Sequence, residues 1–174
     1  MKKHFNKTSQ FLVCLSVISV LLYSLEVRAN MFSWFKKYDV HLSPAVQGTV
    51  TVDGKPVQNI KVFRELDYDK AYNEAATTDE QGHFYFAEKN IKSRQPANKL
   101  DQSKIRQVIS LDYQGKTFVL WYLNTSSIEP QQAIVQRLAA LNCELSDKEL
   151  EHAFLNIENP DFPHSTFSIC RWPD

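Results

Sequence analysis

Hydrophobic and polar residues alternate most clearly between positions 46 and 88. Val46, Gly48, Val50 and Val52 take one side of a period-two pattern, and Gln47, Thr49 and Thr51 take the other. This predicts a strand with one buried and one wet face. Asp53-Gly54 follows as a turn dipeptide, since glycine reaches positive φ at no steric cost. Pro56 has no N–H to give a central ladder and marks the turn's exit. Ile60 and Val62 point inward in a second strand over 60–66. Residues 67–74 are charged and carry two tyrosines, which reads as a loop or a ragged edge. A turn over 77–82 places Gly82 at a left-handed position. Phe84 and Phe86 then share a strand face opposite His83 and Tyr85.

The pattern lapses over 88–104, the one long polar connection, where Lys89, Lys92, Arg94, Lys99 and Lys104 outnumber Glu88 and Asp101. Connections of such length carry function or disorder more often than short ones do. Lys92, Arg94 and Lys99 are therefore the candidate partner contacts. Alternation resumes with Ile105, Ile109, Leu111 and Tyr113 against Arg106, Ser110 and Asp112. Gln114-Gly115 makes a turn, and 117–123 is so uniformly apolar that it predicts a central strand buried on both faces. The period then lengthens. Ser127 with Pro130 reads as a helix start, and Ile134, Leu138 and Leu141 form one helical stripe. Ser146 and Glu149 have capping-box spacing for a second short helix. Prolines 160 and 163 stiffen a loop, and 166–172 reads as a last strand. The expected fold is mainly β, an antiparallel β-sandwich with one or two helices packed on it from a helical insertion at about 127–153.

The first thirty residues read differently. Lys2, Lys3 and Lys7 precede an apolar run over 11–25, and Val27 and Ala29 suit a cut before Asn30. That run is shorter than the roughly 20 residues that span a bilayer as a helix. The reading is a signal peptide over 1–29 and a single domain over 30–174, periplasmic or secreted and not integral to the membrane after cleavage. Cys14 sits inside the apolar run, which argues against lipoprotein processing. An uncleaved anchor is one alternative. Translation from Met31, giving a cytoplasmic protein, is the other. The aromatic, basic segment 31–38 suits either a membrane surface or packing over one end of the sandwich.

The sequence has 20 basic and 20 acidic residues, and removing 1–29 leaves 16 and 19, a net charge of −3. This is no electrostatic footprint for nucleic acid. Cys143 and Cys170 survive cleavage. In an exported chain an even pair reads most simply as a disulfide, with two buried thiols or half a metal site as the competing readings.

Signs of chemistry are sparse. Cys143, His152, His164 and Cys170 lack the close pairs that mark zinc motifs. Asp161 and His164 flank Pro163, so His152, Asp161 and His164 are the candidate metal or hydrolase centre. No G-x-S-x-G elbow, Walker A motif or dinucleotide fingerprint occurs, and the chain has four glycines. No catalytic residue and no cofactor is assigned.

Gly48-Thr49-Val50, Gly54-Lys55-Pro56-Val57, Ile60, Val62, Thr77-Thr78-Asp79 and the run Gly82 to Phe86 resemble the carboxypeptidase-regulatory-like and transthyretin-like (prealbumin-like) domains. The resemblance covers about a quarter of the chain and implies a seven-strand-type antiparallel sandwich, in domains that mostly act as accessory or binding modules. Met31 to Lys37, Asp112 to Lys116 and Ser168 to Trp172 also resemble an uncharacterised bacterial family of unknown function, which implies a structural unit and no activity. The tyrosine-rich tail of the transthyretin-like hydrolases has no counterpart here. The functional expectation is an exported, non-catalytic binding or scaffold domain whose partner is a protein or a cell-envelope component. A periplasmic inhibitor or immunity-type protein is the alternative, ahead of a metal-dependent hydrolase.

Overall fold

A computed structural model describes residues 36–98 and 102–172. The expected signal peptide over 1–29, Met31 with its aromatic neighbours, and Lys99 lie outside the described residues. The described residues form two compact units, one of 36–38 with 94–98 and one of 39–93 with 102–172. In the small unit, Lys36 lies 5.0 Å from the Tyr38 ring centroid, and residues 95–97 make a single 3₁₀ turn with Pro96 as its second residue.

The large unit is mainly β. Counting Tyr38 at its edge, the described residues hold twelve strands and one α-helix: β1 (Tyr38–Ser43), β2 (Val46–Val52), β3 (Lys55–Pro56), β4 (Lys61–Asp67), β5 (Ala71–Thr77), β6 (His83–Phe86), β7 (Lys89–Ser93), β8 (Ile105–Tyr113), β9 (Lys116–Thr125), α1 (Gln132–Leu138), β10 (Leu141–Glu144), β11 (Leu150–Phe154) and β12 (His164–Ser168). β1 pairs with β7. β2 has β10 on one side and β3 and β6 on the other. The remaining six strands run in the order β11-β12-β9-β8-β4-β5. Every ladder in that six-stranded sheet is antiparallel, while β10 pairs with β2 in parallel. No helix among the described residues is long and apolar enough to cross a membrane.

Alternation builds these strands as expected. Val46 and Val50 of β2 and Phe84 and Phe86 of β6 are buried, as are Val62, Ile109, Leu111 and Leu123 of the larger sheet. All eight belong to one core, which Ala133, Ile134 and Leu138 of α1 extend. Gly48 belongs where it is because a Cβ there would come within 2.5 Å of the Phe84 ring. Asp53 and Gly54, then Gln114 and Gly115, carry the paired positive φ of tight hairpin turns. Gly82 has φ of 76°, and the Asp79 carboxylate accepts from the Gln81 and His83 N–H groups to close that turn.

Five expectations need correction or sharpening. Of the stretch at 67–74, read as a loop or a ragged edge, residues 71–74 belong to edge strand β5, whose Glu74 binds Arg64 of β4 and Lys89 of β7. The long polar connection contains β7, with Lys92 paired to Asp39 at 2.8 Å and Ile91 packed on a second small core of Val40, Leu42, Leu66 and Ile105. In β9, Ile109 faces Trp121 but Ser110 faces Val119, so Leu120 is an extra residue. That bulge switches the inward positions from 118 and 120 to 121, 123 and 125, which produces the uniform apolar run without burial on both faces. The helical insertion shrinks to α1, which begins after Gln131 without a side-chain cap. Ser127 instead closes a turn with the Glu129 N–H. The second helix is replaced by β10 and β11, because residues 141–144 pair with β2 and Ser146 bonds Glu144, two residues back.

Candidate functional site

Helix α1 turns Ala133, Ile134 and Leu138 into the core, which leaves Gln136 and Arg137 toward its edge. Beside it, β11 is the outermost strand of the six-stranded sheet and ends at Phe154. The segment after β12 returns past both elements. Its path is fixed by the Cys143–Cys170 disulfide and by the Arg171 N–H, which donates to the Asn142 carbonyl at 2.8 Å. Trp172 follows, and its indole N–H donates to the Arg137 carbonyl at 2.9 Å.

Those three elements enclose a groove of about 390 Å³ lined by Ala133, Gln136, Arg137, Ala140, Phe154, Leu155, Ile157 and Trp172. The Arg137 guanidinium carbon lies 4.6 Å from the Phe154 ring centroid and 4.9 Å from that of Trp172. A guanidinium stacks on aromatic faces while its N–H groups stay in its own plane. Among the described residues, the Arg137 side chain has no hydrogen bond and no ion pair. Burial pulls its pKa below the usual arginine value, and the group stays charged. Arg171, close by, is spent within the fold: its Nη1 donates to the carbonyls of Ile169 and Cys170, and its Nη2 to that of Lys148. Leu155 and Ile157 at the rim are exposed, Leu155 at 61%.

The histidines singled out in the sequence border this cluster and take packing positions. His152 meets the Trp172 ring edge-on at 5.2 Å, and His164 lies 5.2 Å from Phe154. Burial, with Arg171 and Arg137 nearby, lowers the His152 pKa; the Ser168 backbone contact opposes this. Burial also lowers that of His164, against the opposing charge of Glu158. Asp161 is exposed on the loop before β12. No group of three or more His, Cys, Asp or Glu among the described residues could hold a metal ion. Cys143 and Cys170 are joined to each other, which takes both out of any ligand set.

Of the basic residues proposed for partner contact, Lys92 is ion-paired with Asp39, Arg94 belongs to the small unit, and Lys99 lies outside the described residues. A second hollow, of about 780 Å³, runs past Gln47, Thr49, Thr77, Asp79, His83 and Tyr85. There His83 Nδ1 and Asp79 Oδ2 are 3.6 Å apart, and Asp79 is already committed to its turn. Arg137 escaped the sequence reading because its significance depends on Phe154 and Trp172, which are distant in the chain. The one local sign was a basic residue in the last turn of an amphipathic helix.

Residues 46–148 match the family model described as Domain of unknown function (DUF6795). No curated protein and no solved structure matches the chain.

Proposed function

The chain belongs to the DUF6795 family of domains of unknown function, and from that premise we propose that it is an exported, non-catalytic binding domain on a transthyretin-like β-sandwich scaffold. It holds a protein partner on the face formed by α1, the end of β11 and the segment after β12. The observation that carries this reading is the exposed aliphatic rim, Leu155 and Ile157, beside an arginine whose side chain has no hydrogen bond and no ion pair among the described residues. Apolar groups with an embedded arginine are the composition of protein-binding surfaces. Two sheets sharing one core support the sandwich scaffold. The Cys143–Cys170 disulfide supports export, because such bonds persist in oxidising compartments. The packing of His152 and His164 against Trp172 and Phe154 supports a structural role for both rings.

Site-specific photo-crosslinking of the full chain in the cells that make it tests the face. A photoreactive residue at Leu155 is expected to give one discrete protein adduct, and the same residue at exposed Tyr85 is expected to give none. Identical adducts at both positions, or none at Leu155, would overturn the proposal.

A further inference from the structure

We infer that the Arg137 groove receives a peptide segment of the partner in which a carboxylate stands beside a large apolar side chain. The inference rests on the reading of this face as the docking surface and names what docks there.

The chemistry follows from how Arg137 is held. Both neighbouring rings stack on the guanidinium, and the Trp172 indole is bonded to the carbonyl of the same arginine. The fork of N–H donors is thereby oriented before any ligand arrives. Its in-plane edge has no acceptor among the described residues, and a carboxylate is the group whose two oxygens match that edge. The walls are Leu155 and Ile157, and the alanines on the α1 side leave room for an aliphatic or aromatic side chain. Charge and shape together specify an acidic residue next to an apolar one.

A peptide fits better than a fatty acid because of where β11 ends. This strand pairs only with β12 among the described residues and runs directly into the groove at Phe154. An edge strand leaves alternate backbone N–H and C=O groups unpaired, and an extended peptide uses them whereas an acyl chain cannot.

The test is nitrogen-15 NMR of the full-length protein, following the Trp172 indole N–H and the Arg137 Nε–H. Three probes are titrated: acetyl-Leu-Leu-Asp-amide, its uncharged analogue acetyl-Leu-Leu-Asn-amide, and dodecanoate. The aspartyl peptide is expected to move both signals, and the asparaginyl peptide to bind about tenfold more weakly, because it loses a charge-assisted fork contact. Arg137→Gln is expected to weaken the aspartyl peptide by about the same factor. If that variant melts at a lower temperature than the parent, Ile157→Asp serves in its place, since it adds a repelling charge at the exposed rim and leaves the stack alone. Equal binding of the two peptides, no response to either, or a response to dodecanoate alone would each overturn the inference. Failure of the peptides with the Leu155 adduct intact removes the carboxylate assignment only, and loss of the adduct as well removes the docking face.

Discussion

Gln107 occupies a position on β8 where alternation calls for an aliphatic side chain, and it is buried. Its amide N–H donates to the Leu42 carbonyl at 2.8 Å, and its amide oxygen accepts from the Trp121 indole at 3.1 Å. One side chain therefore satisfies two polar groups that the core would otherwise strand. Gln107→Leu is expected to lower stability by about 2 kcal/mol despite its added apolar surface, since each buried group left without a partner costs about 1–3 kcal/mol. Urea unfolding with tryptophan fluorescence measures this, and an unchanged midpoint would show that water takes over both bonds. Arg64 is the same kind of residue. It is buried in line with Val62 and Leu66, bonded to Glu74 and Ser43, with its guanidinium 4.9 Å from the Phe86 ring centroid. Burial would raise the Glu74 pKa, but Lys89 and Arg64 outweigh it and hold that carboxyl below its ordinary range. Both positions continue the inward phase of Val62 and of Ile105 and Ile109, although the sequence reading singled out neither. Alternation could not identify their partners, which lie on other strands.

At the scale of elements, most of the β pattern between 46 and 125 was legible because strands and hairpin turns are written locally, in alternation and in Asp-Gly or Gln-Gly pairs. What was illegible depended on contacts between distant segments. The Leu120 bulge hides within an unbroken apolar run. β10 follows directly on α1, where Leu141 continues the helical stripe, and becomes a strand because β2 offers it a parallel edge. Glu144 shows how firmly that edge is secured. Its carboxylate accepts from the Thr51 hydroxyl, from the Asp53 and Gly54 N–H groups of the hairpin turn, and from both donors of Ser146. Burial acts to raise its pKa, but these donors, the Gly54 N–H foremost, bring it down to about 2 from an ordinary 4.5. A carboxyl depressed in the folded state adds stability that is fully present above its unfolded pKa and is lost as pH falls through the folded one. The Glu144 contribution should therefore fade between about pH 4.5 and pH 2. Glu144→Gln is expected to cost about 1.5–3 kcal/mol at pH 7, the range for hydrogen bonds to a charged group, and progressively less toward pH 2. Urea midpoints of both proteins across that range test it. A gap that stays constant with pH would show that the charge on Glu144 is not what holds the turn.

At the scale of the whole large unit, a disulfide ties its two principal sheets together. Cys143 belongs to β10, beside β2, and Cys170 follows β12 of the six-stranded sheet. The pairing of these cysteines was legible from their number and setting. The groove was not, because its lining comes from α1, the end of β11 and the last segment, which are separate in the chain. The link bears on both. A separation of 27 residues corresponds to about 3.5 kcal/mol of loop-closure entropy removed from the unfolded chain. The folded chain has further ties at the same place, since the Ile169 N–H donates to the Val119 carbonyl and the Arg171 N–H to that of Asn142. Reduction should therefore leave the native sheets intact at room temperature while lowering the unfolding free energy by about 3.5 kcal/mol. Trp172, two residues beyond the bond and only partly buried, should loosen first, because its remaining anchors are one hydrogen bond and the ring contacts with Arg137, His152 and Trp121. Trp121 is fully buried and bonded to Gln107, and it should respond only to global unfolding. Hydrogen exchange of the two indole N–H groups with and without reductant separates these behaviours. Faster exchange confined to Trp172 is the expected outcome. Equal acceleration of both would mean that the disulfide holds the core itself together, and no change in either would leave the ladders and the stack sufficient to keep the groove in shape.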